Sequence, residues 1–220
     1  MRADEFLTEV PLPADWDPKI YSEPATFKVR LQYALDRAQR IGAGSSRVAM
    51  IIPYEGRDTV LKVAKNAKGI AQNNAEYDIM SDGYVRSMGS VIPVIDAGTD
   101  TKNHTTWIQT ELAEKATPSK FKAYFGSGFD LMDLYKFTMF SVGDRRYKTR
   151  PILNMNNENT TQEQWDRFYD CSGDLATLNT DFNVELGDFI RPANWGFYQG
   201  RPVVIDIGFT SEVKDTHYSR

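Results

Sequence analysis

Two neighbouring stretches in the last part of the chain decide how the rest of it is interpreted. Leu186–Gly196 reads LGDFIRPANWG, and Arg201–Gly208 reads RPVVIDIG. Asp188 leads into a short loop that ends in Asn194, and an apolar strand then runs into Asp206. Three oxygen-bearing side chains on such a loop–strand–loop unit can hold a substrate hydroxyl and one or two hard cations beside a phosphate. Phosphoryl transfer is therefore the first hypothesis, and it predicts a phosphate-binding loop and a lysine upstream.

The composition is that of an ordinary globular protein. With 220 residues and a hydrophobic fraction of 41%, the chain can bury a core as one large domain or two small lobes without disulfides. Its net charge of -4 offers no general attraction to nucleic acid or to an anionic membrane. Cys171 is the single cysteine, so no intrachain disulfide can form, and a reducing cytoplasm is the expected compartment.

Targeting and metal signals are also lacking in the sequence. Met1–Pro13 carries three acidic residues and no apolar stretch, which argues against a signal peptide. No run of about 18 apolar residues occurs, so no membrane span is predicted. With His104 and His217 as the only histidines, a structural zinc site of the usual ligand number is not expected.

The first half of the chain predicts a small antiparallel sheet with helices. The proline-rich residues 1–25 predict an extended arm, and helical spacing of apolar residues from Thr26 predicts a helix that ends at Gly42. Alternating apolar runs then predict a hairpin, a helix and two further strands. Their predicted bounds are Val48–Pro53, Thr59–Ala64, Gly69–Tyr84 (the helix), Val91–Ala97 and Thr105–Leu112.

The second half predicts a mostly helical region. Apolar and aromatic side chains recur at helical spacing over Phe129–Phe140 and Thr161–Leu178. A boundary between two lobes is predicted near Ala113–Ser119, which gives an N-lobe of residues 26–113 and a C-lobe of residues 114–220. The predicted class is thus α+β, with a small antiparallel-sheet lobe followed by a helical lobe.

Candidate site residues in the first half also have plain structural interpretations. Gly42, Gly44 and Ser45 form a glycine-containing turn whose amides and hydroxyl can donate to phosphate oxygens, but a helix C-cap followed by a tight turn has the same composition. Lys62 lies mid-strand and is alternatively a solvated edge lysine. Glu76, on the predicted helix, can pair with Lys62 and is alternatively an ordinary exposed charge.

The candidate residues of the second half have local alternatives as well. Asp188 and Asn194 flank Pro192, and these residue types form Asx turns for purely local reasons. Asp206 follows a buried-type strand and can simply cap the turn that contains Gly208. What argues for a shared role is the order in which all of these features occur: glycine turn, strand lysine, helix glutamate, Asp–Asn loop and strand-terminal Asp-x-Gly.

In that order the chain resembles the protein-kinase superfamily, in an atypical and minimal form. It looks most like the small kinase-like proteins encoded by tailed bacteriophages, and the resemblance covers about residues 40–212. A bilobal protein-kinase-like fold with a truncated helical C-lobe is what this resemblance implies.

The resemblance also implies a role for each candidate residue, with ATP and Mg²⁺ as the cofactors. Gly42, Gly44 and Ser45 would cover the ATP phosphates. Lys62 would contact the phosphates, with Glu76 as its ion-pair partner. Backbone groups of Glu111 and Ala113 would bind adenine. Asp188 would be the catalytic residue at the acceptor hydroxyl, and the metal ligands would be Asn194 and Asp206.

Several positions depart from the kinase pattern. Arg47 replaces the third glycine of the loop, Leu186 and Gly187 precede Asp188 in place of His and Arg, and Asn194 follows Asp188 by six positions rather than five. Twelve residues follow Gly208, so no activation segment is expected.

Two functions from different classes follow from these observations. One is an ATP- and Mg²⁺-dependent phosphotransferase, phage-encoded and acting on host or phage proteins in the host cytoplasm. The other is a weakly active or inactive pseudokinase that serves as a nucleotide- or protein-binding module. Either function predicts a nucleotide and a protein as partners, excludes a membrane and disfavours nucleic acid, and self-association through the short C-lobe is compatible with both.

Two further residues are predicted to be structural. Trp195, next to Asn194, is predicted to wedge the Asp188 loop against the surrounding helices. Cys171, within the second long helix, is predicted to be a core residue rather than a nucleophile, because no histidine is placed to activate it.

Overall fold

The structure is a computed structural model, and it describes residues 38–54, 56–100, 102–153 and 159–218, together with residues 32, 33, 35, 36 and 155. The predicted N-terminal arm and the beginning of the predicted first helix lie outside the described residues. Contacts group the described residues into two compact units. The first unit contains the residues up to Asp78 and Pro93–Leu112, and the second contains Ile79–Ile92 and the residues from Ala113 onward.

The first unit is built on a five-stranded antiparallel sheet with strand order β1-β2-β3-β5-β4. The strands are β1 Gln39–Ala43, β2 Arg47–Tyr54, β3 Arg57–Ala64, β4 Val94–Thr99 and β5 Thr105–Glu111. In the β2–β3 hairpin Met50 lies opposite Leu61, and both are fully buried. Because successive side chains alternate between the faces of a sheet, Lys62 points to the face opposite Leu61.

The prediction that the first helix continues to Gly42 is wrong. Gln39–Ala43 is not helical but forms β1, which pairs with β2 through Gly42 opposite Ala49 and Ala43 opposite Val48. Glycine is a poor helix former, and β2 supplies hydrogen bonds that local helical spacing cannot outweigh. Gly42 is thus a strand residue rather than a helix C-cap.

The helix predicted as Gly69–Tyr84 consists of two helices, α1 Ala67–Ser81 and α2 Gly83–Ser87. Asp82 separates them: its carboxylate accepts from the backbone N–H groups of Tyr84 at 2.8 Å and Val85 at 3.2 Å, which is an N-cap.

The second unit combines helices with a three-stranded sheet of order β6-β7-β8. Its elements are α2, β6 Glu114–Lys115, α3 Pro118–Phe125, α4 Leu131–Ser141, α5 Gln162–Phe182, β7 Trp195–Tyr198, β8 Arg201–Val204 and α6 Ser211–His217. Helix α5 begins with a capping box between Thr161 and Gln164 and ends at Asn183, which has a left-handed φ of 56°. Helix α3 was not predicted, although Thr117 followed by Pro118 is a helix-start signal.

The core of the second unit is aromatic. Phe125 and Phe129 stack with ring centroids 4.4 Å apart, and Phe168 meets Phe129 edge-on at 6.4 Å. Phe121 brings Trp195 into the same cluster at 5.8 Å. Helix α3 thereby connects the aromatic face of α5 to Trp195, which directly follows the Asp188 loop.

The predicted α+β class is confirmed: an antiparallel sheet lies with most of helix α1 in the first unit, and helices dominate the second. Within the described ranges, no helix has both the length and the apolar character needed to cross a bilayer.

Candidate functional site

Lys62 and Glu76 form a buried ion pair within the first unit. The Lys62 ammonium, on β3, donates to Oε1 of Glu76, on α1. Glu76 has no exposed surface, and Lys62 is 8% exposed. Lys62 is therefore not a solvated edge lysine, and Glu76 is not a surface charge.

A second cation binds the same carboxylate. Nη1 of Arg47 lies 2.6 Å from Oε2 of Glu76 and 3.2 Å from Oδ1 of Asn73. In the sequence Arg47 is only a departure from the glycine pattern, and local spacing does not predict this contact. Alternation along β2 places Arg47 on the same face as Ala49, which pairs with Lys62, so strand register is the signal that identifies it.

The turn between β1 and β2 is attached to the start of α1. The carbonyl oxygens of Gly44, Ser45 and Ser46 accept hydrogen bonds from the segment that leads into that helix. The donors are the Lys65 ammonium at 2.9 Å, the Asn66 amide at 3.0 Å and the Lys65 backbone N–H at 2.8 Å, in that order. The Ser45 side chain is exposed. Of the three predicted phosphate-loop residues, Gly44 and Ser45 are in this turn, and Gly42 is in β1.

The predicted adenine-binding positions lie at the end of β5 and just after it. The Glu111 backbone N–H donates to Pro93 at 3.0 Å, and its carbonyl accepts from the Thr110 hydroxyl at 3.3 Å. Its carboxylate accepts two bonds from Arg57, at 2.8 and 3.2 Å. The N–H group and the carboxylate of Glu111 are therefore both engaged within the first unit. Ala113, the first residue of the second unit, is half-buried.

Asp188 lies in the second unit, in the short 3₁₀ turn Leu186–Ile190. A further 3₁₀ turn, Pro192–Asn194, follows it. Burial raises the pKa of the Asp188 carboxyl group above the ordinary value. The Arg191 guanidinium, 3.5 Å away, opposes this shift, and the charges of Asp206 and Glu185 add to it. A carboxylate with a raised pKa is a better proton acceptor, so the surroundings of Asp188 suit a general base.

Asn194 and Trp195 close the loop that carries Asp188. The side-chain Nδ2 of Asn194 donates to the Asp188 carbonyl oxygen at 2.9 Å. The Oδ1 atom of Asn194 is therefore the side-chain atom that could bind a cation. The Trp195 indole N–H donates to the Phe189 carbonyl at 2.8 Å, and Trp195 is only 2% exposed. The extra position between Asp188 and Asn194 therefore does not prevent loop closure, and the supporting role predicted for Trp195 agrees with its burial.

Asp206 is connected to the same loop by the backbone. It follows β8 directly after Ile205, whose N–H donates to the Asn194 carbonyl at 2.9 Å. Its charge acts on the pKa of Asp188, so the two carboxylates are electrostatic neighbours. Carboxylate and amide oxygens are the donors that Mg²⁺ prefers, and this donor set fits that ion. No group of three or more His, Cys, Asp or Glu in the described ranges is arranged to hold a metal, so Asn194 and ligand oxygens would have to complete the coordination.

A cavity of about 220 Å³ in the second unit contains none of the predicted site residues. Cys171 contributes to its lining, but burial raises the pKa of the Cys171 thiol to about 12. Such a thiol is not a nucleophile at neutral pH, in agreement with the core role predicted for it.

Comparison with known proteins finds similarity among solved structures. No protein-family model matches the chain, and no curated protein matches it. Among solved structures it is similar to the PknI kinase domain of Mycobacterium tuberculosis, at 13% sequence identity and a TM-score of 0.38, over 79% of this chain and 58% of that one. The chain thus matches less than two thirds of that domain. A similarity at this level carries no argument about activity, and the function has to be argued from the residues.

Proposed function

We propose that the chain is an ATP- and Mg²⁺-dependent phosphotransferase of the protein-kinase type. The observation that carries the proposal is the buried ion pair between Lys62 and Glu76. Burying a charged pair costs several kcal/mol per ion in desolvation, so a fold gains little stability from it compared with apolar packing. A lysine whose ammonium is oriented by a glutamate, beside the phosphates of ATP, gives the pair a chemical purpose.

Each site residue then has a defined task. Lys62 binds phosphate oxygens of ATP, and Glu76 orients its ammonium. Asp188 accepts the proton of the acceptor hydroxyl as that oxygen bonds to phosphorus and the bond from phosphorus to the leaving oxygen of ADP breaks. Asn194 and Asp206 would hold Mg²⁺, which supplies positive charge to the phosphate oxygens. Catalysis would come from positioning and charge neutralisation.

Several finer points belong to the proposal. Gly44 and Ser45 would lie near the phosphates, and Glu111 and Ala113 near adenine. The phosphate acceptor would be a protein. An origin in a tailed bacteriophage and a place in the host cytoplasm follow from the sequence resemblance alone and stay predictions.

A second function, a binding module with little or no turnover, is supported by two observations. The Gly44 backbone N–H, a donor that a phosphate-binding turn would present, already donates to the Arg47 carbonyl oxygen at 2.9 Å. The candidate metal site in the described ranges offers too few carboxylates to form a recognisable metal cluster. Both features are compatible with nucleotide binding that does not lead to transfer.

The first test compares wild type with Lys62→Ala and Asp188→Ala. Each variant should lower ATP-dependent phosphate transfer at least about 100-fold, because each removes a group that acts on the transition state. ADP release and ³²P incorporation are measured with generic protein acceptors and with cell lysate. Lys102→Ala, a surface change in the turn between β4 and β5, is the control. Equal activity in wild type and both site variants would refute the phosphotransferase, and ATP binding without transfer would support the binding module.

A further inference from the structure

The Glu76 carboxylate has one cation on each of its oxygens. Oε1 accepts from the Lys62 ammonium, and Oε2 accepts from Nη1 of Arg47 at 2.6 Å. Glu76 is completely buried, and each cation is 8% exposed. Solvent therefore cannot readily replace either contact, and the two bonds together fix the plane of the carboxylate.

We infer that Arg47 is a positioning residue, which holds Glu76 in the orientation that engages Lys62. A carboxylate with a cation on one oxygen only can rotate to share that cation between both oxygens. Arg47 prevents this rotation because it occupies Oε2, so that Oε1 stays directed at Lys62.

An arginine suits this task better than a lysine. Nη1 of Arg47 also donates to Oδ1 of Asn73 at 3.2 Å, and Asn73, like Glu76, has no exposed surface. Asn73 and Glu76 are three positions apart on α1, so they lie on one face of the helix. The two hydrogens of Nη1 are held in the fixed plane of the guanidinium, so donating to both acceptors costs less rotational freedom than it would for an ammonium on a flexible stem.

The backbone that carries Arg47 is itself attached to α1. The Ser46 hydroxyl donates to the Gln72 side chain at 2.5 Å. Gly69 packs so closely on Ser46 that a Cβ at Gly69 would lie 2.2 Å from the Ser46 carbonyl oxygen. Consecutive residues at the start of β2 therefore contact α1. Of these residues, Arg47 is the one that binds Glu76 and so affects Lys62.

The test is a double-mutant cycle on thermal unfolding of the whole chain, which does not depend on activity. Arg47→Gln should lower Tm by about 6 °C or more when Glu76 is present, because it leaves a buried carboxylate oxygen without its partner. In the Glu76→Gln background the loss should fall to less than half, because the shared contact is already gone. If Glu76→Gln does not fold, Glu76→Asp, which keeps the charge but shortens the side chain, replaces it.

Thr59→Val is the matched control for this cycle. Thr59 is a fully buried polar residue on β3, the strand that also carries Lys62. It points to the opposite face of the sheet, where its hydroxyl donates to the Ile52 carbonyl oxygen at 3.0 Å. Its Tm loss should be the same with and without Glu76. An Arg47→Gln loss that is equally independent of Glu76 would overturn the inference.

A second readout rests on the proposed function. Arg47→Gln and Glu76→Gln should each weaken binding of ATP·Mg²⁺ about tenfold, and the double variant no further, because both act through the orientation of Lys62. Arg47→Lys, which keeps a charge on Oε2, should stay within about threefold of wild type. Normal ATP affinity in Arg47→Gln beside weakened affinity in Glu76→Gln would overturn the positioning role. A wild type that binds no ATP but shows the stability coupling would refute the phosphotransferase and leave Arg47 as the residue that positions Glu76.

Discussion

Single residues fix the geometry of the Asp188 loop, and Trp195 is the clearest case. Its ring fills the aromatic core beside Phe121 and Phe189, and its indole N–H satisfies the Phe189 carbonyl oxygen. One side chain thus both packs the unit and holds the backbone one residue after Asp188.

We expect Trp195→Ala to destabilise the second unit by about 3–5 kcal/mol, because it leaves a large cavity. Trp195→Phe keeps most of the packing but leaves the Phe189 carbonyl unpaired, and should cost about 1–3 kcal/mol. Urea unfolding measures both. Wild-type stability in Trp195→Phe would contradict a separate contribution from the indole hydrogen bond.

Gly69 is a second residue that the tertiary contacts require. A Cβ there would lie 2.2 Å from the Ser46 carbonyl oxygen and 3.1 Å from the Ala64 Cα, and both are backbone atoms that cannot easily move. Gly69→Ala should therefore lower stability by about 2 kcal/mol or more, through displacement of the β1–β2 turn from α1.

Gly173→Ala is the control for the change at Gly69. Gly173 lies inside α5, and a Cβ there meets nothing within 4 Å. Alanine should stabilise that helix by about 0.5–1 kcal/mol. Thermal unfolding compares the two variants, and a loss of stability in Gly173→Ala similar to that in Gly69→Ala would show that the clash is not the cause.

At the scale of one element, a buried carboxyl group in α5 lowers the stability of the folded state by an amount that depends on pH. Burial raises the pKa of Asp174 above 3.8, a hydrogen bond from Ser90 opposes this shift, and the neighbouring charge of Asp170 adds to it. The folded state then holds the proton more tightly than the unfolded state. Stability is greatest below the unfolded pKa and falls as pH rises through the raised folded pKa, after which it is constant.

Asp174→Asn should remove this cost. The variant should have a higher Tm than wild type at pH 7, and the difference should shrink as the pH is lowered toward 3.8, where Asp174 becomes protonated and neutral in both states. Thermal unfolding at a series of pH values measures the difference. Gly173→Ala, a change in the same helix that removes no ionisable group, is the control and should alter Tm by a similar amount at every pH. A difference that grows at low pH would contradict the raised pKa.

For the molecule as a whole, the proposed function predicts that binding of ATP·Mg²⁺ raises the stability of the folded state. A ligand that binds only the folded state stabilises it by about 2.7 kcal/mol at a concentration of 100 Kd. At the ATP·Mg²⁺ concentration that meets this condition for wild type, Lys62→Ala and Asp206→Asn should each lose half of the stabilisation or more, because a tenfold weaker Kd gives only about 1.4 kcal/mol. Asp206→Asn should respond to Mg²⁺ least, since it removes a metal ligand.

Asp78→Asn, an exposed change on α1, serves as the control for this linkage. Chelation of Mg²⁺ with EDTA should reduce the ATP-dependent rise in Tm of wild type and leave that of Asp206→Asn nearly unchanged. An identical rise in all variants, with and without EDTA, would show that ATP is not bound by these residues.

The α+β class, the β2–β3 hairpin and the long helices follow from the sequence alone, because periodicity and cap residues are local signals. The sequence did not predict β1, whose hydrogen bonds come from β2, and it predicted α1 and α2 as one helix although Asp82 is a recognisable cap. The burial of Lys62 with Glu76 was one of two interpretations that the sequence left open. The contact of Arg47 with Glu76 was decided only by the tertiary structure, because it depends on the register of two strands and on the rotation of a helix above them, and neither is encoded in local spacing.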